Sequence, residues 1–293
     1  MNTTNWTNVA AALSDFDISL VSETAPRPVG GGDISAAWRL QTTDGPLFLK
    51  TARASAFDMF DAEACGLREL ASANAIRVPD VRAVTNYGEG ALIALEWLEF
   101  GVADVETSGA FGRQLARLHR RTQKQHGWHR DNYLGLTPQP NSCADNWLDF
   151  FREKRLEFQL RLASENGYGS VLGSACQKLL DNLDTFFVGY DPSASLLHGD
   201  LWGGNWSSAD GQAVIYDPAV YFGDRETDLA MTRLFGGFNA EFYAAYEDSW
   251  PLHDGCEHRV GLYQLYHLLN HLNLFGSGYL NRVVSLIKNL SAI

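Results

Sequence analysis

Two neighbouring stretches carry residue types that could perform phosphoryl transfer. Leu196-Leu197-His198-Gly199-Asp200-Leu201-Trp202-Gly203-Gly204-Asn205 sets a His-x-Asp ahead of an asparagine five residues beyond the aspartate. Val214-Ile215-Tyr216-Asp217 is an apolar run that ends in a second carboxylate. In phosphoryl transfer one aspartate orients an acceptor hydroxyl and takes its proton, while an asparagine and another aspartate hold Mg2+ on the triphosphate. Mg2+ demands hard oxygen ligands at short distance, so oxygen-bearing side chains on two adjacent loops suit it. Gly203 and Gly204 let the chain turn so that Asp200 and Asn205 face one pocket. An Asp-x-x-x-x-Asn alone reads as a polar turn. With His198, the double glycine and Asp217 added, the catalytic reading is the stronger: Asp200 as base, Asn205 and Asp217 as metal ligands.

A second pair lies far upstream. Lys50 is the only lysine before Lys124, and it ends the strand-like run Leu47-Phe48-Leu49. Glu63 follows 13 residues later, in a segment of helical spacing. A lysine of this kind contacts the α- and β-phosphates and is oriented by a helix glutamate. Glu69 on the same segment is the rival partner. Alone, the pair would read as solvated surface charge. The downstream loop gives it meaning.

Gly30-Gly31-Gly32-Asp33 is the turn expected over the phosphates, with Gly31 and Gly32 letting backbone N–H groups approach phosphate oxygens. No Gly-Lys-Ser/Thr follows, so it is not a Walker A loop, and a strand follows where a Rossmann turn would open a helix. A plain hairpin turn is the competing reading. Leu92-Ile93-Ala94-Leu95-Glu96-Trp97-Leu98 reads as a buried strand leaving the first part of the chain. In a two-lobed arrangement it is the hinge, where backbone groups of Glu96 and Leu98 would meet adenine. Arg225, Glu226 and Asp228 open a helix; acids there favour the dipole, and one of them could equally brace the catalytic loop. His267 and His271 have i, i+4 spacing but no H-E-x-x-H. They read better as a polar face of a core helix than as a zinc site, and the loose cluster of His253, Cys256 and His258 lacks a fourth good ligand. Trp202 could pack the loop or form an apolar wall for a substrate.

These residues need elements to position them. A short amphipathic helix is expected over 4–15, strands over 34–40, 46–50, 81–88 and 91–98, and a helix over 56–74. Beyond Phe100 the pattern is mostly helical, with helices over 105–122, 144–164, 170–187, 226–247 and 256–289, the last two broken, and one β interruption over 195–217. The expected architecture is α+β: a small β-rich lobe over residues 1–98 and a larger helical lobe over 99–293. The 293 residues, 45% hydrophobic and 20% charged, exclude a disordered or fibrous chain. A net charge of -12 argues against nucleic-acid binding, which draws on basic side chains. The four cysteines show no C-x-x-C pair and no disulfide framework, so reduced thiols in a cytoplasm are expected. No run approaches the ~18 apolar residues of a membrane helix, and a monomer is expected.

The chain resembles the fructosamine kinase (ketosamine-3-kinase) family. The resemblance rests on LLHGDLWGGNW, VIYDPAVYFGDRETDLAM, the later Gly236-Gly237-Phe238, and GGGDISAAWRL with Phe48-Leu49-Lys50. Trp128 to Gly135 with Thr137-Pro138-Gln139, and Leu269 to Gly276, extend it over about residues 10–290. It implies a protein-kinase-like fold related to aminoglycoside phosphotransferases, ATP with Mg2+ in the cleft, and phosphorylation of the 3-hydroxyl of a small-molecule or protein-bound ketosamine. It further implies that Trp202, Asn270 and His271 border the sugar. The chain has Asp33 where some relatives carry a glycine-turn cysteine, and Pro218-Ala219 after Asp217 where protein kinases have Phe-Gly. Two other readings stand beside it: another small-molecule kinase acting on an aminoglycoside or choline-like alcohol, and a nucleotide-binding pseudokinase. The second would be signalled by loss of Lys50, Asp200 or Asp217, all of which are present.

Overall fold

Alternation along one strand explains how the first part of the molecule is built. The computed structural model describes residues 4–21, 24–30 and 35–292. Helix α1 (Trp6–Ser14) opens it, capped by the Asn5 side chain, which accepts the Asn8 N–H. Strands β1 (Arg27–Val29), β2 (Ala36–Thr42) and β3 (Gly45–Arg53) follow, then α2 (Phe57–Ser72), β4 (Val81–Tyr87) and β5 (Gly90–Glu96). The five strands form an antiparallel sheet in the order β1-β2-β3-β5-β4. Successive side chains of a strand face opposite sides. Leu47 and Leu49 of β3 pack with Val9 and Leu13 of α1, whereas Phe48 packs with the cluster that holds Phe60 and Leu67 of α2. Lys50 shares the side of Phe48 and so faces α2. The uninterrupted apolar run of β5 is buried on both faces, with α1 on one side and α2 on the other.

The chain leaves the sheet at Glu96 and enters α3 (Val105–His119). From there it is mostly helical: α4 (Trp147–Phe150), α5 (Phe158–Glu165), α6 (Gly169–Asp181), α7 (Glu226–Leu234), α8 (Ala240–Ser249), α9 (Cys256–Phe275) and α10 (Leu280–Leu290). Seven short strands are set among these helices: β6 (Thr122–Gln123), β7 (Asn132–Leu134), β8 (Thr137–Gln139), β9 (Ala194–Leu197), β10 (Trp206–Ala209), β11 (Gln212–Ile215) and β12 (Tyr221–Gly223). They pair as β12-β9-β6, β10-β11 and β7-β8. One buried cluster runs from α2 and β5 through the helices to α10, so both parts share a core. Among the described residues, no helix is long and apolar enough to cross a membrane.

The expected layout needs two corrections. The helix read over 144–164 is split by a π-helical stretch, Phe151–Glu157, between α4 and α5. The wider turn lets the adjacent Phe150 and Phe151 both be fully buried, with Trp147 stacked on each. It also buries Arg155, whose guanidinium lies 4.0 Å from the Tyr221 ring centre and donates to the Pro140 carbonyl (2.6 Å). β structure in the second part is not confined to 195–217, because β6, β7, β8 and β12 lie outside it. These strands are two or three residues long, too short to show a period in sequence. Gly31, Gly32 and Asp33 lie outside the described residues.

Helices α3 and α8 meet at Gly112. A Cβ placed there would lie 2.2 Å from the Phe242 carbonyl oxygen and 3.0 Å from the Tyr246 nitrogen, both backbone atoms that cannot swing aside. Gly112→Ala is therefore expected to destabilise the fold by roughly 1–3 kcal/mol, the usual cost of overpacking, and to lower the midpoint of thermal unfolding. Gly173→Ala in α6, where the added methyl meets open space, should leave the midpoint unchanged or higher.

Candidate active site

The loop after β9 is built on buried backbone acceptors. Gly199 has φ of +83°, and a Cβ there would lie 2.0 Å from the Ala219 carbonyl oxygen, so only glycine fits. The preceding His198 is fully buried. Its Nδ1 accepts the Asp200 N–H (3.2 Å), so Nε2 carries the hydrogen and donates to the Tyr216 carbonyl (3.0 Å). Burial holds this imidazole below its usual pKa. His198 is thus a neutral strut between the two loops, not a proton carrier. Beneath it, Asp228 at the start of α7 accepts the N–H groups of His198 (2.8 Å) and Gly199 (2.9 Å) and a hydrogen bond from His119 Nε2 (3.2 Å). Burial opposes its charge, but these bonds outweigh that and keep its carboxyl below the ordinary range. Of the three residues at the start of α7, Asp228 braces the loop. Arg225 donates to Tyr246 and the Trp250 carbonyl, and Glu226 pairs with Arg259 (2.7 and 2.9 Å).

Asp200, Asn205 and Asp217 converge. Asn205 Nδ2 donates to Asp200 Oδ2 (3.1 Å), to the Asp200 carbonyl (2.9 Å) and, at 3.4 Å, to the Asp217 carbonyl. Desolvation first, and then the neighbouring Asp217 charge, push the Asp200 carboxyl up to about 7. Asp217 sits in the left-handed region at φ +55°, which aspartate tolerates better than most side chains. Its place is fixed on both sides: the Tyr216 N–H donates to the Asn205 carbonyl (3.1 Å) and the Ala219 N–H to the His198 carbonyl (2.8 Å).

Lys50 joins this group from the other part of the chain. Its ammonium lies 2.7 Å from Glu63 Oε1 and 2.6 Å from Asp217 Oδ1. Burial works against the charge, but the Asp217 and Glu63 carboxylates outweigh it and hold the lysine pKa above its ordinary value. Glu63 is pushed up, chiefly by burial and despite Lys50. Glu69 accepts a long hydrogen bond from Trp128 (3.4 Å), so Glu63 is the partner. The donor set beside Lys50 is all oxygen: two carboxylates, on Asp200 and Asp217, and the Asn205 carboxamide. Among the described residues, no group of three or more His, Cys, Asp or Glu is arranged to hold a metal ion. Two carboxylates with an amide suit a hard cation that completes its shell with water and phosphate oxygens, and they do not suit zinc. His271 Nδ1 donates to the His267 carbonyl (2.8 Å), and burial pushes the His267 imidazole down to about 3.

The remaining expected residues separate. Trp202 is partly exposed and meets Phe235 edge-on (6.2 Å between centres), and Phe235 in turn packs on His271 (4.9 Å). Gly203 and Gly237 touch backbone to backbone, since a Cβ on Gly237 would lie 2.6 Å from the Gly203 Cα. This contact accounts for glycine at 203 and at 237. Asn270 does not border the cleft. It is buried, accepting from Gln159 Nε2 (3.1 Å) and donating to the Leu134 carbonyl (3.3 Å). At the hinge, the Glu96 N–H already donates to the Asp80 carbonyl (2.8 Å), and the Glu96 carboxylate pairs with Arg77 (2.9 Å). Leu98 is half-buried on the crossing segment. Sequence reasoning missed a group of amides that also holds the Asp217 loop: Asn132 Nδ2 donates to the Val220 carbonyl (2.8 Å) and Gln139 Nε2 to the Ala219 carbonyl (3.0 Å).

The chain was compared with known proteins. The family model described as fructosamine kinase matches residues 5–292. A "Probable ketoamine kinase" of Synechocystis sp. is 39% identical over 285 residues, covering 97% of this chain and 96% of that protein. The chloroplastic protein-ribulosamine 3-kinase of Oryza sativa subsp. indica is 40% identical over 265 residues, covering 89% of this chain and 77% of that protein. The crystal structure of a protein from Haemophilus somnus named for fructosamine-3-kinase superposes with a TM-score of 0.90 at 29% identity, covering 97% of each chain. The ADP-bound aminoglycoside phosphotransferase APH(2'')-Ib shares the fold alone, with a TM-score of 0.64 at 13% identity over 98% of each chain.

The brace under the loop is testable without an activity assay. Asp228→Asn replaces one acceptor oxygen by an NH2 group facing buried donors. An unsatisfied buried donor costs about 1–3 kcal/mol, which corresponds to roughly 5- to 150-fold faster amide exchange when opening is local. Exchange at His198 and Gly199 is expected to accelerate by this amount, while amides of β5 keep their protection.

Proposed function

The chain belongs to the fructosamine kinase family and has its two-lobed, kinase-like α+β fold, and from this we propose that it transfers the γ-phosphoryl group of ATP to the 3-hydroxyl of a ketosamine. The observation that carries the reading is the meeting of Lys50 with Glu63 and Asp217, at 2.7 and 2.6 Å, beside the Asn205 amide that ties Asp200 to the Asp217 loop. Lys50, fixed by Glu63, binds the α- and β-phosphates. Asp200 orients the acceptor hydroxyl and takes its proton. Its Oδ2 is tied to Asn205, which leaves Oδ1 as the proton acceptor. His198 cannot share this role, because both ring nitrogens are engaged and the ring is neutral.

Asn205 and Asp217 would hold Mg2+, which when bound neutralises charge on the phosphates. Gly31 and Gly32 would cover the phosphates, the Glu96 carbonyl and the Leu98 backbone would meet the adenine, and the division between lobes would fall near residue 98. Trp202 and His271, joined through Phe235, would form the apolar border of the sugar. The all-oxygen set of Asp200, Asn205 and Asp217, tied together by the Asn205 amide, supports the metal assignment. The 3-phosphate product would decompose and free the amine, giving the reaction a deglycating role. The relatives named for ketoamine and ribulosamine substrates support this acceptor class over an aminoglycoside or choline. The intact Lys50, Asp200 and Asp217 count against a pseudokinase. The four free cysteines fit a reducing cytoplasm.

The test is ATP consumption by purified protein with Mg2+ and ribulose-lysine, fructose-lysine, an aminoglycoside or choline as acceptor. Turnover on a ketosamine is expected. Asp200→Asn should lower it by about 10²- to 10⁴-fold, the range of a lost general base, with ATP affinity changed only a few-fold. Turnover confined to another acceptor would reject the ketosamine assignment, and equal loss of turnover and ATP binding in the variant would reject the role of Asp200. Chelation of divalent metal should stop turnover, with Mg2+ restoring it.

A further inference from the structure

Helix α2 carries more charge on its back than its role in holding Lys50 requires. At 100° per residue, Asp58, Asp61, Cys65 and Glu69 fall on one face of α2, and Glu63 on the opposite one. The back face is engaged by a single segment of the second lobe. Arg130 Nη2 donates to Asp58 Oδ1 (2.8 Å) and Nη1 to Asp61 Oδ2 (2.5 Å), so one guanidinium spans nearly a full turn of the helix. Tyr133 donates to the other Asp58 oxygen (2.9 Å). A planar guanidinium holding two carboxylates fixes both the height and the rotation of the helix, which a point charge cannot do.

The segment that carries Arg130 is itself tied to the Asp217 loop. Asn132 and Gln139 hold the Val220 and Ala219 carbonyls, Asn141 Nδ2 donates to Asn132 Oδ1 (2.8 Å), and Tyr266 of α9 donates to Gln139 Oε1 (2.6 Å). All four side chains except Tyr266 are short buried amides with their partners in place. Gly66 of α2 completes the contact, since a Cβ there would lie 3.2 Å from Val220 Cγ2. The same short stretch of chain therefore fixes α2 on one side and the residues after Asp217 on the other.

We infer that Arg130 is a positioning residue for phosphate binding: through Asp58 and Asp61 it sets the rotation of α2 that brings Glu63 to Lys50. Stability is not its main role. Asp58 is 64% exposed and Asp61 35%, and exposed ion pairs contribute little to folding. A small rotation of α2 about its axis would carry Glu63 away from the ammonium, leaving Lys50 to Asp217 alone. This inference rests on the proposed reading of Lys50, Glu63 and Asp217 as the phosphate site.

The test is a double-mutant cycle on the full-length chain, read by kcat/KM for MgATP and by MgATP Kd from quenching of tryptophan fluorescence, which needs no acceptor. Arg130→Gln is expected to weaken MgATP binding and to lower kcat/KM for MgATP by roughly tenfold or more, since modest misplacement of a positioned group has effects of up to about 10²-fold. The acceptor KM should move less than about twofold, and the unfolding midpoint should stay close to that of the wild type, as for loss of an exposed pair. Arg130→Lys, which can reach one carboxylate at a time, should recover part of the loss. In a Glu63→Gln background, Arg130→Gln should cost less than about twofold. The same loss in both backgrounds, or a lowered midpoint with unchanged MgATP affinity, would overturn the inference. A wild-type chain that fails to bind MgATP would reject the site reading and this inference with it. Wild-type binding with an unaffected Arg130→Gln would reject the inference alone.

Discussion

One ammonium group joins three parts of the molecule. Lys50 belongs to the central strand β3, Glu63 to α2, and Asp217 to the loop after β11, and the Lys50 nitrogen is within 2.7 Å of both acids. A buried lysine is costly unless paired, so the position of each of these elements is constrained by the other two. The charges do not balance locally. Glu63 and Asp217 share the one ammonium, and burial first, then the Asp217 charge, push the Glu63 and Asp200 carboxyls up.

Around this centre the backbone is held by side chains with no chemistry of their own to perform. Asp228 collects two N–H groups of the catalytic loop and the ring of His119. His198 spans from the Asp200 N–H to the Tyr216 carbonyl. Asn132 and Gln139 take the carbonyls that follow Asp217. Apart from the local Asp200–His198 bond, these bonds join segments distant in sequence, and most of them satisfy backbone groups around the turns at Gly199 and Asp217. Preorganised donors and charges need no rearrangement at the moment of reaction. The polar interior of the second lobe is the structural basis of that readiness.

How much of this the sequence disclosed follows from how local each signal is. Lys50, Glu63, Asp200, Asn205 and Asp217 were legible as candidates because their order and spacing match a known division of labour. Four of the five sheet strands and α2 were legible because apolar alternation gave way to a 3.6-residue period at Phe57, whereas the three-residue β1 was not. The lobe-crossing ties were not. Arg130 lies 69 residues from Asp61, and nothing about an arginine among polar residues reveals which helix it will meet. Strands β7 and β8 are three residues each, below the length at which alternation can be seen. Asn270 misled for the opposite reason. It lies within a segment that resembles the family, yet in an α-helix the neighbours Asn270 and His271 project about 100° apart. His271 reaches the Phe235 ring, while Asn270 turns inward to Gln159 and Leu134.

The path from Asp217 to α7 carries a further consequence. Only residues 218–225 separate them, and β12 within that stretch pairs with β9 in register from Tyr221 with Leu197 to Gly223 with Ser195. In kinases controlled by a phosphorylated loop, the segment after the metal-binding aspartate is long and has alternative states. Here it is short, its first carbonyls are held by Asn132 and Gln139, and its next residues are part of a sheet. Moving Asp217 out of place would break that pairing and uncover Tyr221, against which the Arg155 guanidinium lies at 4.0 Å. The aspartate, the catalytic loop and α2 are thus fixed by the packing of the fold itself.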